Sequence, residues 1–303
     1  MYRVLDLSKQ AVFQQAKKQQ IFDDKLSHLV QEAEELRQAH PGCGVEKMYY
    51  TLQPDFIGRD RFIEIFMDLG FRVFYPKNYT KTTIPTHYHY PNLISGMLVN
   101  GINQVVQSDI TYFSLHQKFY YIIFLIDVFS KRIVGYQVSD HMRASANLKA
   151  LQQLIDLRGK ADLKHLIHHS DRGTQYGSKK YVYQLNELNC YISMGESAQD
   201  NAYAERVNGI IKNEYLKLWT INSFYMLRKK LAQAVKHYNE VRPHRHLPNK
   251  MSPVQFENIL ANANYDKEHL ELIFARENHY KRPFCDLFDF PKIHSNQFFC
   301  PLG

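Results

Sequence analysis

The sequence predicts an α/β protein in which a mixed five-stranded sheet with flanking helices follows a small helical domain of the helix-turn-helix type. Residues 22–69 carry apolar side chains at three- and four-residue steps, which is typical of helices. Residues 105–138 are rich in β-branched and aromatic residues, which favour strands. Beyond residue 138 helical and strand patterns alternate, as expected for a sheet with helices packed on it.

The first predicted domain covers residues 1–75 and is helical. Helices are predicted at 22–40, 45–53 and 58–69, and the segment His40-Pro-Gly-Cys-Gly44 ends the first of them. Three helices joined by tight turns resemble a DNA-binding helix-turn-helix unit. A plain three-helix packing module remains the alternative, because the first 100 residues are nearly neutral. Three prolines and several polar clusters predict a linker over residues 76–102.

The second predicted domain, residues 103–220, contains the sheet. Its strands are predicted at Val105–Phe113, Tyr120–Val128, Ile133–Val138, Leu163–His169 and Cys190–Ser193, and its helices at Arg143–Leu157, Lys179–Leu188 and Asn201–Leu218. Short turns predict that the first three strands form an antiparallel meander. Residues 221–260 are predicted as further helices of this core, and residues 261–303 as an extension of unknown role.

Composition indicates a globular protein with a localised positive charge. Hydrophobic residues make up 45% of the 303 residues. No apolar run reaches the roughly 18 residues of a membrane span, and the start lacks a signal-peptide core, so a cytoplasmic location is expected. The four cysteines are scattered, which argues against a zinc site or a disulfide framework.

The formal net charge of +8 is concentrated in one segment of the chain. Residues 206–250 contain ten Lys or Arg against two acids, whereas the remainder of the chain is close to neutral. A basic segment of this kind favours binding to a polyanion such as DNA, because each phosphate contact releases counterions.

Three acidic residues are the candidate catalytic and metal-binding residues. Asp109 and Asp171 each follow an apolar run, so both are predicted at strand ends, where ligands collect in sheet proteins. Glu205 lies inside a helical pattern. Three carboxylates brought together can hold two Mg²⁺ (or Mn²⁺) ions about 3.5–4 Å apart for phosphoryl transfer on nucleic acid.

The helix around Glu205 separates polar from apolar side chains. Asn201, Glu205, Asn208 and Lys212 are spaced four, three and four residues apart, and therefore share one face. The apolar stripe contains Ala204, Val207, Ile211, Tyr215 and Leu218. This arrangement predicts that the carboxylate binds metal, the amides contact substrate and the lysine contacts phosphate.

Other residues receive secondary predictions. The basic segment adds Arg206, Arg242 and His244 as predicted DNA contacts. Asp127, Asp200 and Glu214 are predicted to have structural or supporting roles, with Asp200 as a candidate N-cap of the Glu205 helix.

Several motifs together resemble one known family. They are His40-Pro-Gly-Cys-Gly44, Pro91-Asn-Leu93, Ser108-Asp-Ile-Thr-Tyr112, Ile126-Asp-Val-Phe-Ser-Lys-Arg-Ile-Val-Gly-Tyr136, His169-Ser-Asp-Arg-Gly-Thr-Gln-Tyr176, Ser193-Met194, Asp200-Asn-Ala-Tyr-Ala-Glu205 and Tyr238-Asn-Glu-Val-Arg-Pro-His244. Over roughly residues 25–257 the chain resembles DDE transposases of the retroviral-integrase superfamily. It is most similar to the second-frame (OrfB) proteins of two-frame bacterial insertion sequences, known as family three.

The resemblance implies an RNase H-like catalytic core in which the three acids bind the metal ions. It implies cleavage of element ends, strand transfer into target double-stranded DNA, and contact of Lys212 with the element end. It also implies a homodimer or higher multimer, and a partner protein from an upstream frame. The gap between Asp171 and Glu205 is slightly shorter than is usual in the family. Two alternatives stay open: an inactive or domesticated DNA-binding protein of this fold, and an RNase H-type nuclease.

Overall fold

A five-stranded mixed sheet carries the two predicted aspartates. The computed structural model describes residues 9–73, 90–195, 198–262, 271–272 and 282–283. Its strands are β1 (Met97–Val99), β2 (Val105–Leu115), β3 (Lys118–Asp127), β4 (Ile133–Ser139), β5 (Ile167–Ser170), β6 (Tyr191–Met194), β7 (Glu271–Leu272) and β8 (Arg282–Pro283). The large sheet has the order β4-β3-β2-β5-β6, and a small sheet has the order β7-β1-β8.

The helices surround this sheet in sequence order. They are α1 (Lys9–Ala39), α2 (Val45–Leu52), α3 (Arg59–Asp68), α4 (Ala144–Arg158), α5 (Lys179–Glu187), α6 (Ala202–Ile211), α7 (Phe224–Glu240) and α8 (Pro253–Ala261). A π-helical turn, Lys212–Leu216, follows α6. Every helix in the part of the chain that the structure describes is too short or too polar to cross a lipid bilayer.

Strand pairing in the large sheet follows the predicted pattern. Strands β2, β3 and β4 form an antiparallel meander, which confirms that prediction. Strands β5 and β6 run parallel to β2, and α4 and α5 connect them along the chain. Apolar side chains from β2, β3, β4, α4 and α5 form one continuous core, in which Leu125, Leu151 and Tyr181 are fully buried. The predicted mixed five-stranded sheet with flanking helices is therefore confirmed.

The residue contacts divide the chain into two units. Unit 1 contains Met1–Asn78, Ile210–Ile221 and Lys229–Ser252, and unit 2 contains Tyr79–Gly209, Asn222–Arg228 and Pro253–Gly303. Within unit 1, α1, α2 and α3 pack around the buried side chains of Leu29, Ala33, Met48, Phe62 and Phe66. Unit 1 thus combines the predicted helical domain with segments that the sequence interpretation assigned to the core, so the domain boundaries at 75, 103 and 220 stay predictions.

Four elements differ from their predicted form. The strand predicted at Leu163–His169 is β5, which begins only at Ile167, and Leu163 ends a 3₁₀ turn that starts at Ala161. Helix α1 starts at Lys9, well before the predicted residue 22. The described end of the predicted linker, residues 90–102, contains β1. The predicted helix 201–218 is α-helical only over Ala202–Ile211, and a π-helical turn follows, in which Glu214, Tyr215 and Leu216 are buried. Residues 76–89 and most of the predicted extension 261–303 lie outside the described residues.

Candidate active site

The register of two parallel strands brings Asp109 and Asp171 to neighbouring positions. The last paired residues of β2 and β5 are Ser108 and Ser170, and each aspartate comes directly after its serine. Adjacent strands lie about 4.8 Å apart, so Asp109 and Asp171 start from neighbouring positions where the pairing of β2 and β5 ends. Asp171 follows the end of β5 as predicted, whereas Asp109 lies inside the longer β2, which continues to Leu115 beside β3.

Helix α6 brings Glu205 to the same region. The side-chain amide of Asn208 donates a hydrogen bond to Asp109 Oδ2 at 2.5 Å. Glu205 precedes Asn208 by three residues, so both side chains lie on the side of the helix that faces Asp109. Ala204, Val207 and Ile211 are buried on the opposite stripe, as the sequence periodicity predicted. Glu205 itself is exposed.

Electrostatic interactions connect the three acids. The pKa of Asp109 is raised from 3.8 to about 8 by burial, by the charge of Asp171 and, to a smaller extent, by that of Glu205. The backbone N–H of Ile110 and the amide of Asn208 act in the opposite direction. The pKa of Glu205 is also raised, by desolvation and by Asp171. The carboxylates are therefore close enough to repel one another.

The donor set suits a hard divalent cation. Carboxylate oxygens are the ligands that Mg²⁺ and Mn²⁺ prefer, and a cation would relieve the repulsion that raises the pKa of Asp109 and Glu205. Among the described residues, however, no three His, Cys, Asp or Glu side chains converge into a preformed metal cluster. Metal binding by the three acids remains a prediction.

The turn after β5 holds the carboxylate of Asp171. The backbone N–H of Gly173 donates to Asp171 Oδ1 at 3.1 Å. A Cβ atom at Gly173 would lie 3.0 Å from that same oxygen, so glycine leaves room for the contact. The buried Tyr176 hydroxyl hydrogen-bonds with Ser108 Oγ at 2.9 Å, which joins the turn to β2 beside Asp109.

The residues near Glu205 that were predicted to contact DNA differ in their burial and in their hydrogen-bond partners. Arg206 is exposed. Asn201 is buried, and its amide donates to the Ser108 carbonyl at 3.0 Å, which favours a structural role over substrate contact. Lys212 is partly buried and belongs to unit 1, at the start of the π-helical turn, so the predicted stripe shared with Glu205 does not continue as a regular α-helix.

Arg242 and His244 are buried in unit 1, which favours a structural role over the predicted contact with DNA. The Arg242 guanidinium donates to both carboxylate oxygens of Glu214, at 2.8 and 2.9 Å. The backbone N–H of His244 donates to the carbonyls of Lys250 and Met251. Counting charges along the sequence identified the basic segment, but it could not tell buried arginines from exposed ones.

Glu214 is the centre of a charged cluster that the sequence interpretation underestimated. Besides Arg242, the carboxylate accepts hydrogen bonds from His40 Nε2 at 2.8 Å and from Lys47 Nζ at 2.5 Å. These four residues are called the Glu214 cluster below. Its partners lower the pKa of Glu214 well below the usual range, although burial acts in the opposite direction.

Gly42 lies where its backbone closely approaches that of Glu214. Its N–H donates to the Glu214 carbonyl at 2.6 Å, and a Cβ atom there would lie 2.2 Å from the Glu214 Cα. No side chain fits in that space, so the close approach of the two backbones requires glycine.

Asp127 and Gln107 have further supporting roles. Asp127 Oδ1 accepts from the backbone N–H groups of Phe129 and Ser130, so this carboxylate caps the turn after β3, in line with a structural role. Gln107, on β2, bonds to the start of α6 and was missed by the sequence interpretation. Its side chain is fully buried and its partners lie in and just before α6, so no local sequence pattern marked it.

Two family models match the region that contains these residues. Both are described as integrase core domains, and they match residues 100–199 and 187–253. The insertion element IS600 uncharacterized 31 kDa protein of Shigella sonnei is 30% identical over 210 residues, which are 66% of this chain and 75% of the relative. The chain belongs to the insertion-sequence transposase family with an integrase core. This confirms the family that the sequence motifs predicted.

Other members of the family match shorter segments. The putative transposase for insertion sequence element IS986/IS6110 of Mycobacterium tuberculosis is 40% identical over 120 residues, which are 38% of this chain and 43% of the relative. Transposase InsF for insertion sequence IS3A of Escherichia coli is 30% identical over 190 residues, which are 62% of this chain and 64% of the relative. The match thus spans under half the length of the mycobacterial relatives.

The chain is also similar to solved structures. The HTLV-2 integrase catalytic core domain, solved in complex with magnesium, covers 55% of this chain and 98% of its own length, with 19% identity and a TM-score of 0.41. At this TM-score the likeness adds nothing to the family assignment, which rests on the sequence matches.

Proposed function

We propose that this chain is an active insertion-sequence transposase that cleaves DNA at element ends and joins those ends to target DNA. The observation that carries this proposal is the mutual electrostatic coupling of Asp109, Asp171 and Glu205 in a chain of the integrase-core family. An inactive descendant of the fold would be under no constraint to keep three mutually repelling carboxylates together, because their repulsion costs stability.

We infer that the three acids hold divalent cations, Mg²⁺ or Mn²⁺, with two ions per site. Such ions would activate the attacking oxygen and stabilise the negative charge on the leaving oxygen. The chain's own residues would orient these ligands: Asn208 through its bond to Asp109, and Gly173 through its bond to Asp171. The attacking water or DNA 3′-hydroxyl forms the new bond to phosphorus as the bond to the leaving oxygen breaks, so no protein nucleophile is needed.

The proposed substrate is double-stranded DNA, as element ends and as target. The exposed Arg206 beside Glu205 and the exposed basic side chains of α7, which include Arg228, Lys229 and Lys236, support this proposal because they present positive charge to a polyanion. We propose Lys212 as a contact to the element end. A homodimer or higher multimer, a partner protein encoded by an upstream frame, and a location at the cytoplasmic nucleoid complete the proposal.

The substitution Asp171→Asn tests this proposal. It keeps the shape of the side chain and removes one ligand charge. We expect the rates of cleavage and strand transfer of end-containing DNA to fall by more than about 100-fold, because loss of a residue that only supports a metal ligand costs up to about that much. Binding of the same DNA, measured by gel shift, should stay unchanged. The matched control is Asp162→Asn, which changes an exposed aspartate of the same unit.

The outcomes separate the possible functions. Wild-type cleavage and joining by Asp171→Asn would contradict the assignment of this residue. Cleavage without joining of a pre-nicked end by the unaltered protein would indicate a nuclease. DNA binding without either reaction would indicate a DNA-binding protein that has kept the fold.

A further inference from the structure

We propose that Gln107 is a positioning residue for the reaction. It holds the first turn of α6 against strand β2 and thereby fixes the position of Glu205 relative to Asp109. This inference rests on the proposed function, since it assigns a role in organising the same three acids. Gln107 contacts neither a reacting group nor a proposed metal ligand through its side chain, so it would act through the helix.

The side chain of Gln107 uses both ends of its amide on the start of α6. Its Oε1 accepts from the backbone N–H groups of Tyr203 and Ala204, at 3.2 and 3.3 Å. Its Nε2 donates to the backbone carbonyl of Asp200 at 3.1 Å. Gln107 is completely buried, so water cannot replace these partners.

These bonds satisfy groups that a helix cannot satisfy by itself. The first N–H groups of any helix have no partner within the helix, and a buried N–H without a partner costs about 1–3 kcal/mol. A capping side chain usually comes from the residue just before the helix. Here the acceptor lies on a strand, 96 and 97 residues before the two N–H groups that it binds, so satisfying the helix start also anchors it to the sheet.

The position of Gln107 on β2 places its hydrogen bonds to α6 close to the three acids. Side chains two residues apart on a strand point to the same face, so Gln107 and Asp109 both face α6. Glu205 follows the two capped residues, Tyr203 and Ala204, directly in the helix. The anchored turn is therefore the one from which Glu205 projects.

Three consecutive residues of β2 hold the segment 200–208. Gln107 holds Asp200, Tyr203 and Ala204; the Ser108 carbonyl accepts from the amide of Asn201; and Asp109 accepts from the amide of Asn208. The last of these bonds involves a proposed metal ligand, whose contacts change when a cation binds. Gln107 and Asn201 supply the contacts that do not depend on the state of the acids.

Loss of the Gln107 bonds should therefore affect turnover more than DNA binding. The substitution Gln107→Leu keeps the size of the side chain and removes all three hydrogen bonds. A displacement of a catalytic group by about 1 Å can cost about 100-fold in rate. We expect kcat for end cleavage to fall by about 10- to 100-fold, with KM for DNA unchanged.

A matched control separates positioning from general destabilisation. Gln153 on α4 also uses both ends of its amide on backbone groups, donating to the Tyr136 carbonyl at 2.8 Å and accepting from the Tyr136 N–H at 3.1 Å. It belongs to the same unit but bonds to β4, away from the acids. Gln153 is partly buried, so Gln153→Leu should lower the thermal midpoint by no more than Gln107→Leu does, and it should keep the kcat of the unaltered protein.

Amide hydrogen exchange gives a readout that does not depend on activity. In the full-length protein, Gln107→Leu should speed exchange in the peptide covering residues 200–209 by about 10-fold, because two N–H groups lose their acceptor. Gln153→Leu should leave the peptide unchanged.

Each result either supports or overturns the assignment. Unchanged exchange and unchanged kcat in Gln107→Leu would overturn it, as would a fall in kcat matched by Gln153→Leu. If the unaltered protein does not cut DNA at all, the proposed function fails, while the exchange measurement still decides whether Gln107 anchors α6.

Discussion

Two groups of carboxylates in this protein have opposite electrostatic settings. At the candidate active site, Asp109, Asp171 and Glu205 repel one another, and the pKa of Asp109 rises to about 8. In the Glu214 cluster, a single carboxylate accepts bonds from His40, Lys47 and Arg242, and its pKa falls below the usual range. In the first group burial and neighbouring carboxylates raise the pKa, whereas in the second the cationic side chains of the chain lower it. The comparison distinguishes a site that suits an external cation from one that holds the fold together.

The largest expected effect is the loss of the Glu214 carboxylate. Glu214→Gln leaves Arg242 buried without its ionic partner, so the free energy of unfolding should fall by about 3–5 kcal/mol. Urea denaturation followed by circular dichroism measures this change. The control Glu46→Gln removes an exposed acid 3.3 Å from Lys250, and it should cost less than about 1 kcal/mol. Equal effects of the two substitutions would contradict the structural role of the Glu214 cluster.

The pH dependence of stability gives the next test of the Glu214 cluster. Burial lowers the pKa of His40 from 6.5 to about 4, so the folded protein keeps this ring neutral while the unfolded chain binds a proton. Stability should therefore fall as pH falls from 6.5 towards 4, by at most about 1.4 kcal/mol per pH unit for this residue. Below pH 4.5 protonation of Glu214 adds to the loss, because its pKa is lowered in the fold.

A substitution isolates the contribution of His40 to this slope. In His40→Gln the free energy of unfolding should depend less steeply on pH between 6.5 and 4 than in the unaltered protein. His246→Gln, which changes an exposed histidine of the same unit, should keep the original slope. An unchanged slope in His40→Gln would show that other groups cause the acid sensitivity.

The sequence predicted the candidate active site better than it predicted the Glu214 cluster. Asp171 and Glu205 were recognisable because local patterns, an apolar strand and a two-sided helix, place them. Glu214 was undervalued because its three partners lie 28 to 174 residues away in the chain. A π-helical turn also shifts Glu214 out of the regular helical spacing on which its placement depended.

Gln107 and Arg242 illustrate the same limit. Gln107 lies in a strand that also contains Ser108 and Asp109, so it shows no periodic signal of its own, and its partners in α6 become visible only in three dimensions. Arg242 was counted with the basic segment, although its guanidinium is buried. Local periodicity identifies which face a side chain lies on, whereas the pairing of distant polar groups depends on how the elements pack.

The smallest expected effect is a gain in the free energy of unfolding instead of a loss. Asp171 raises the pKa of both Asp109 and Glu205, so Asp171→Asn removes a repulsion from the metal-free protein. Its free energy of unfolding should rise by about 0.5–2 kcal/mol, the range typical of substitutions that relieve a functional site. Denaturation in the presence of a chelator measures this gain. A loss of several kcal/mol, comparable to that of Glu214→Gln, would mean that Asp171 serves the fold instead.

The most direct test of the contrast between the two groups is thermal unfolding with and without Mg²⁺. A cation that binds only the folded protein stabilises it by about 2.7 kcal/mol at 100 times its dissociation constant. The unaltered protein and Glu46→Gln should gain stability with added Mg²⁺, and Asp171→Asn should gain little or none. An equal gain in Asp171→Asn, or no gain in the unaltered protein, would contradict the claim that these three acids form a site for a divalent cation.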